Sequence, residues 1–131
     1  MKSKRIISEE SKLKLVDNLM YKIKDHLRKL PNDIRNIEVD EDWLYKTMEK
    51  NNWSCPIMKV EFPMLDKFRL KRDEYKLLGI NKLKMASVDR KDSSKGYTKE
   101  NTQIVCRFYN LGKTDNPNED VIELLNEFKN S

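Results

Sequence analysis

Residues 85–113 constrain this chain more than any other stretch. Met85-Ala86-Ser87-Val88-Asp89 reads as a strand. Thr102-Gln103-Ile104-Val105-Cys106 reads as a second, rich in β-branched residues and alternating in polarity. Between them, Asp92-Ser93-Ser94-Lys95-Gly96 is dense in turn formers. A helix over about 107–113 follows directly. Two short strands joined by a turn-rich loop form a hairpin, and an isolated hairpin is marginal until something packs on it. The expected unit is therefore strand, loop, strand and covering helix.

The flanks supply further helices. Leu13, Val16, Leu19, Met20, Ile23, Leu27 and Leu30 recur every three or four residues, which predicts an amphipathic helix over 8–30. Ser8 is its expected cap, Glu9 and Glu10 sit where the helix dipole favours acid, and Pro31 ends it. Residues 32–38 read as a connector. Asp40 is placed to cap a second helix reaching about Lys50, with Val39 and Leu44 as a hydrophobic staple. Residues 53–62 suggest a short hairpin or extended segment. In the hard-to-read stretch 63–83, Glu74–Leu78 suggests a helical turn ended by Gly79. Asn116, Pro117 and Glu119 form a helix-start signal, with Val121, Leu124, Leu125 and Phe128 as the expected buried stripe. The expected fold is α+β: N-terminal helices, a ββα motif and a C-terminal helix. Two regions are expected, a helical extension over 1–38 and the ββα domain over 39–131.

Composition narrows the function. In 131 residues, 27 Lys and Arg stand against 22 Asp and Glu, a net charge of +5. The excess is local: residues 66–99 carry eleven Lys and Arg against five Asp and Glu, and the remainder is nearly neutral. Single-sign clustering of that kind suits a phosphate-rich partner. No apolar run approaches the roughly 20 residues of a membrane span, and no signal-peptide apolar stretch follows the basic start. Two cysteines exclude a disulfide scaffold. An intracellular protein is the expectation.

The ββα unit would place Asp89 at the end of its first strand, Asn101 at the end of the loop and Asn110 on the helix. A strand carboxylate and a helix side chain can hold one hard cation such as Mg²⁺, which takes few oxygen ligands and keeps its waters. That arrangement also suits a phosphodiester.

Ser87-Val88-Asp89-Arg90-Lys91-Asp92-Ser93-Ser94-Lys95-Gly96-Tyr97, Asn101-Thr102-Gln103-Ile104-Val105-Cys106 and Tyr109-Asn110-Leu111-Gly112-Lys113 together resemble the HNH (His-Me finger) endonuclease superfamily. More narrowly they are similar to small phage- and virus-encoded members with a D-R-x-D-S-x-x-G-Y…N-x-Q…N-x-x-K pattern. Cys55-Pro56-Ile57-Met58-Lys59-Val60-Glu61-Phe62 resembles the segment preceding that pattern, so the likeness spans about 39–128. It implies a metal-dependent DNA endonuclease using Mg²⁺ or Mn²⁺. Asp89 and Asn110 would be metal ligands, Asn101 would pin the loop and orient the base, and Lys113 would face a phosphate. Gly96 would supply permissive backbone.

One position departs from the family. HNH enzymes carry a His general base directly after the strand Asp, and here that residue is Arg90. A guanidinium cannot accept the proton, though it can bind the phosphate or stabilise its developing charge. Asp92 is the candidate replacement base, or else an Asx-type cap of the loop. His26, the sole histidine, is expected on the surface of the first helix unless folding brings it in. The alternative function is an inactive DNA-binding or protein-interaction module on the same fold.

Lys82, Lys84, Arg90, Lys91, Lys95 and Lys113 are the expected DNA contacts, with Lys67, Arg69, Lys71 and Arg72 extending the track. Trp53, Tyr97, Phe108 and Tyr109 are expected in the core. Cys55 and Cys106 are too few for the four-cysteine zinc site of some HNH proteins, so no structural zinc is expected.

Overall fold

The computed structural model describes residues 5–65, 70–113 and 116–130. Lys67 and Arg69 of the expected basic track lie outside them, as do the side chains of Arg72 and Phe128. The chain is α+β. Its elements in order are α1 (Glu9–Leu27), α2 (Glu41–Lys50), α3 (Arg72–Leu77), β1 (Ala86–Arg90), β2 (Thr102–Cys106), α4 (Arg107–Lys113) and α5 (Asn118–Lys129). Short 3₁₀ turns occur at Asn32–Ile34 and Lys82–Lys84. No helix among the described residues is long and apolar enough to cross a membrane.

The caps sit where the side chains dictate. Ser8 accepts a hydrogen bond from the Ser11 amide at 3.2 Å. Asp40 accepts one from the Trp43 amide at 2.8 Å, and the stapling pair Val39 and Leu44 is buried. The buried stripe of α1 is Leu15, Val16, Leu19, Met20 and Ile23. Leu13, expected in it, is 54% exposed. At 100° per residue it falls at the edge of an arc centred on Leu19, which Leu15 and Ile23 flank. The helix also ends at Leu27, one turn before Pro31.

Residues 53–62 form a tight hairpin, with Ser54 bridged to Glu61, the Cys55 amide donating to the Val60 carbonyl and the Phe62 amide to that of Trp53, and Lys59 at φ 61° in its turn. The expected turn near Glu74 is α3, and Gly79 beyond it has φ 69°, a left-handed backbone that glycine adopts at no steric cost. β1 and β2 pair antiparallel, Ala86 opposite Cys106 through to Arg90 opposite Thr102.

One core unites these pieces. Leu15, Val16, Leu19, Met20 and Ile23 of α1 join Leu44 and Met48 of α2, Trp53, Phe62, and Ala86, Ile104 and Val105 of the hairpin. Cys55 and Cys106 lie buried in that core as free thiols. Tyr109 and Tyr97 are also buried, as expected, but Phe108 is 49% exposed. On a helix as short as α4, Tyr109 and Lys113 (i, i+4) take the inner face, and Phe108 is left on the outer one.

The stripe expected on α5 is narrower than its sequence suggests. Val121 and Leu125 pack on the core as an i, i+4 pair, whereas Leu124 is 65% exposed. The helix starts at Asn118 rather than directly after Asn116, and the Asn116 side-chain amide donates to the Lys113 carbonyl, closing the end of α4.

Candidate nucleic-acid site on the hairpin and its helix

Side chains alternate along β1, so Ser87 and Asp89 share a face. α4 lies across that face and presents Asn110 and Lys113 one turn apart. The Asn110 Nδ2 donates to Ser87 Oγ at 2.7 Å. Lys113 Nζ lies 3.1 Å from Asp89 Oδ2 and donates to the carbonyls of Arg90 at 3.1 Å and Lys91 at 3.2 Å. An ammonium has three donors, and here three groups receive them. Asp89 Oδ2 also accepts from Gln103, its cross-strand partner, at 2.8 Å.

This corrects one expected contact. Lys113 is 1% exposed, inside the strand–helix seam, and does not face a DNA backbone. An ammonium with a carboxylate and two carbonyls around it is better satisfied there than in an apolar site, which is what allows burial. Asp89 and Asn110 occupy one seam but are not partners: Asp89 pairs with Lys113, Asn110 with Ser87.

The loop is held as the resemblance implies. Asn101, buried, donates from Nδ2 to the carbonyls of Asp92 (3.0 Å) and Gly96 (2.9 Å) and accepts from the Asp92 amide (2.9 Å). Replacing Asn101 with Ala strands all three loop groups, so a stability loss of about 2–3 kcal/mol is expected in urea titration. Arg90 reinforces the loop from the other side, donating from Nη1 to the carbonyls of Ser93 and Lys95, both at 2.8 Å. Asp92 is an Asx cap: its Oδ1 accepts from the Ser94 amide (2.9 Å) and hydroxyl (2.6 Å). Those bonds hold its carboxyl below the usual carboxylate range, which weakens it as a base.

Gly96 is required for a different reason from the one its sequence suggests. Its φ is not left-handed. A Cβ there would instead lie 2.6 Å from the Ile34 carbonyl oxygen, 2.7 Å from that of Asn36 and 2.0 Å from Asn36 Oδ1. The loop is docked edge-on against the connector, where the Tyr97 amide donates to Asn36 and the Glu38 amide to Tyr97.

His26 is exposed on α1, as its sequence suggests, and the docked loop sets Tyr97 against it. His26 Nδ1 lies 2.5 Å from the Tyr97 hydroxyl, the two rings meeting edge to face. The Arg90 guanidinium stands 5.7 Å from the centre of the same Tyr97 ring. The sequence did carry a signal: His26 follows Leu19 by seven residues and Ile23 by three, which aligns it with the buried stripe at the exposed end of α1.

Two other residues come from outside the expected set. Asn118, at the start of α5, accepts from Gln103 (3.2 Å) and from the Tyr109 hydroxyl (2.8 Å), linking α5 to the Asp89 network. Arg107 lines a cleft of about 190 Å³ with Lys22, Lys82, Ser87 and Asn110. Lys82 lies over the Tyr75 ring, while Lys84, Lys91 and Lys95 are exposed. No group of three or more His, Cys, Asp or Glu able to hold a metal occurs among the described residues. Compared with known protein families, curated proteins and solved structures, the chain matches none.

Proposed function

We infer that this protein is a metal-dependent DNA endonuclease of HNH type, hydrolysing phosphodiester bonds at the ββα unit. The observation that carries this reading is the strand–helix seam. Asp89 closes β1, Asn110 and Lys113 meet β1 from α4, and Asn101 fixes the loop between the strands with three hydrogen bonds.

The donors in that seam suit a hard cation. The Asp89 carboxylate, the Asn110 amide oxygen and Ser87 Oγ are the ligand types that Mg²⁺ or Mn²⁺ prefers. Asp89 and Asn110 would hold the ion, which supplies Lewis-acid stabilisation of charge on the leaving oxygen. The Asp89 charge is matched by Lys113, so the ion binds as a competitor of that ammonium. Arg90, tied to the loop by Nη1, offers a fixed positive charge to the substrate phosphate. The cleft beside Asn110 adds Lys22, Lys82 and Arg107.

A specific observation favours a second reading, a non-cutting nucleic-acid-binding module. With Asp89 paired to Lys113 and Arg90 bonded to loop carbonyls, the charged groups of the seam already have partners within the protein. The two readings part on one assay. The endonuclease relaxes supercoiled plasmid in Mg²⁺ or Mn²⁺ and stops on chelation. The module retards DNA and leaves it intact.

Both readings send DNA along the exposed lysines. Lys84→Ala, Lys91→Ala and Lys95→Ala are each expected to lower the slope of log affinity against log salt by about 1, uniformly across sequences. Filter binding at several salt concentrations measures this. Unchanged slopes in all three place the DNA elsewhere.

A further inference from the structure

We propose that His26, delivered by α1, is the general base of the hydrolysis, acting beside Arg90 and Tyr97 at the end of the hairpin. This rests on the endonuclease reading and adds the group that the first strand lacks.

The reaction needs an acceptor with a free lone pair for one proton of the attacking water. Arg90 cannot serve, and Asp92 has its Oδ1 bonded twice by Ser94. His26 is the chain's one imidazole, and the fold carries it across 71 residues of sequence to the hairpin. Its ring is anchored at one nitrogen only. Nδ1 meets the hydroxyl of Tyr97, itself 3% exposed and fixed by backbone bonds to Asn36 and Glu38. Nε2 has no partner among the described residues, and the His26 side chain reaches solvent. A base held by a second group that sets its tautomer is the usual architecture of proton transfer by histidine. The tautomer required has its proton on Nδ1, donated to the Tyr97 oxygen, leaving a lone pair on Nε2.

The surroundings keep the imidazole neutral. Partial burial is the larger cause, and the positive charges of Arg90 and Lys29 add to it, against an opposing pull from Asp25. The net effect lowers the imidazole below its ordinary value near 6.5, which favours the neutral ring at pH 7. The Tyr97 hydroxyl stays protonated, pushed up by burial. One turn before His26, Lys22 enters the cleft that also holds Ser87 and Asn110. Arg90 stands over the Tyr97 ring whose hydroxyl meets His26 Nδ1, so a phosphate held by Arg90 would lie beside the imidazole. In the step, Nε2 takes a proton from water as the oxygen bonds to phosphorus. The bond to the leaving oxygen breaks, that oxygen takes a proton from solvent, and His26 returns its own to solvent. The products are a phosphate monoester end and a hydroxyl end.

The test is plasmid nicking by the full chain in Mn²⁺ from pH 5.5 to 8.5. The wild-type rate is expected to fall as pH drops through the lowered His26 value, because the protonated ring cannot act. His26→Gln is expected to nick at least about 100-fold more slowly, with DNA binding unchanged and the acid limb gone. His26→Ala is expected to regain rate when imidazole is added, which a structural role would not allow. A His26→Gln rate within threefold of wild type, or a slow His26→Ala that imidazole does not rescue with its acid limb intact, overturns the proposal. Both leave the endonuclease reading standing, provided removal of the Asp89 carboxylate still abolishes nicking. A wild-type protein that cuts under no metal overturns both.

Discussion

Lys113→Met is expected to destabilise the protein by about 3–5 kcal/mol in urea denaturation, the cost of leaving a buried charge without its partner. The ammonium lies fully inside the seam, and its removal strands the Asp89 carboxylate and the carbonyls of Arg90 and Lys91 together. The double variant Asp89→Asn/Lys113→Met removes both charges and keeps an acceptor for Gln103. It is expected to recover part of the loss, giving a coupling of about 2–3 kcal/mol in the cycle. Additivity within about 0.5 kcal/mol would show that the pair contributes packing and not charge. Metal sharpens the result. With Lys113 gone, Asp89 offers its charge to a cation, so Mn²⁺ should raise the melting temperature of Lys113→Met by more than it raises that of the wild type. Equal shifts would mean that Asp89 is not a cation ligand.

Gly96→Ala is the second large effect. The added methyl meets two backbone carbonyl oxygens of the connector at 2.6 and 2.7 Å as well as Asn36 Oδ1 at 2.0 Å. A flexible side chain can move away, but backbone cannot without shifting the connector. A loss of about 3 kcal/mol is expected, the upper part of the usual range for overpacking. Asn36→Ala in the same chain should recover only the side-chain share. The functional consequence is separate from folding. Displacing the loop from the connector parts Tyr97 from His26 and Arg90 from its carbonyls, so cutting should fall further than the folded fraction does. Full stability in Gly96→Ala would mean that the connector yields without cost.

Local features of this chain were legible in its sequence, and long-range ones were not. Caps at Ser8 and Asp40 and the extent of β2 and α4 depend on neighbours within about ten residues, which pattern and turn chemistry describe, whereas the loop bonds of Asn101 follow from the family resemblance. Lys113 looked like a surface lysine because nothing local announces a carboxylate 24 positions away. Gly96 reads as a source of permissive backbone, since the connector that crowds it is distant in sequence. Spacing puts Leu13 and Leu124 on buried faces and aromatic character puts Phe108 in the core, yet helix faces are chosen by what packs against them. His26 is the instructive case. Its heptad relation to Leu19 aligns it with the buried stripe of α1, yet it stays exposed, and only the docking of the loop on the connector supplies Tyr97 and Arg90 as its neighbours.

The rate of plasmid nicking against Mn²⁺ concentration, for the wild type and for Asp89→Asn/Lys113→Met, tests the central assignment most directly. The endonuclease account predicts saturable, chelator-sensitive cutting by the wild type. It predicts a loss of at least about 100-fold in the double variant, because ligation of the cation is worth several kcal/mol of transition-state stabilisation. Circular dichroism of the variant checks that its fold persists. Supercoiled plasmid left intact by the wild type at every metal concentration, or cut equally by both proteins, would contradict it.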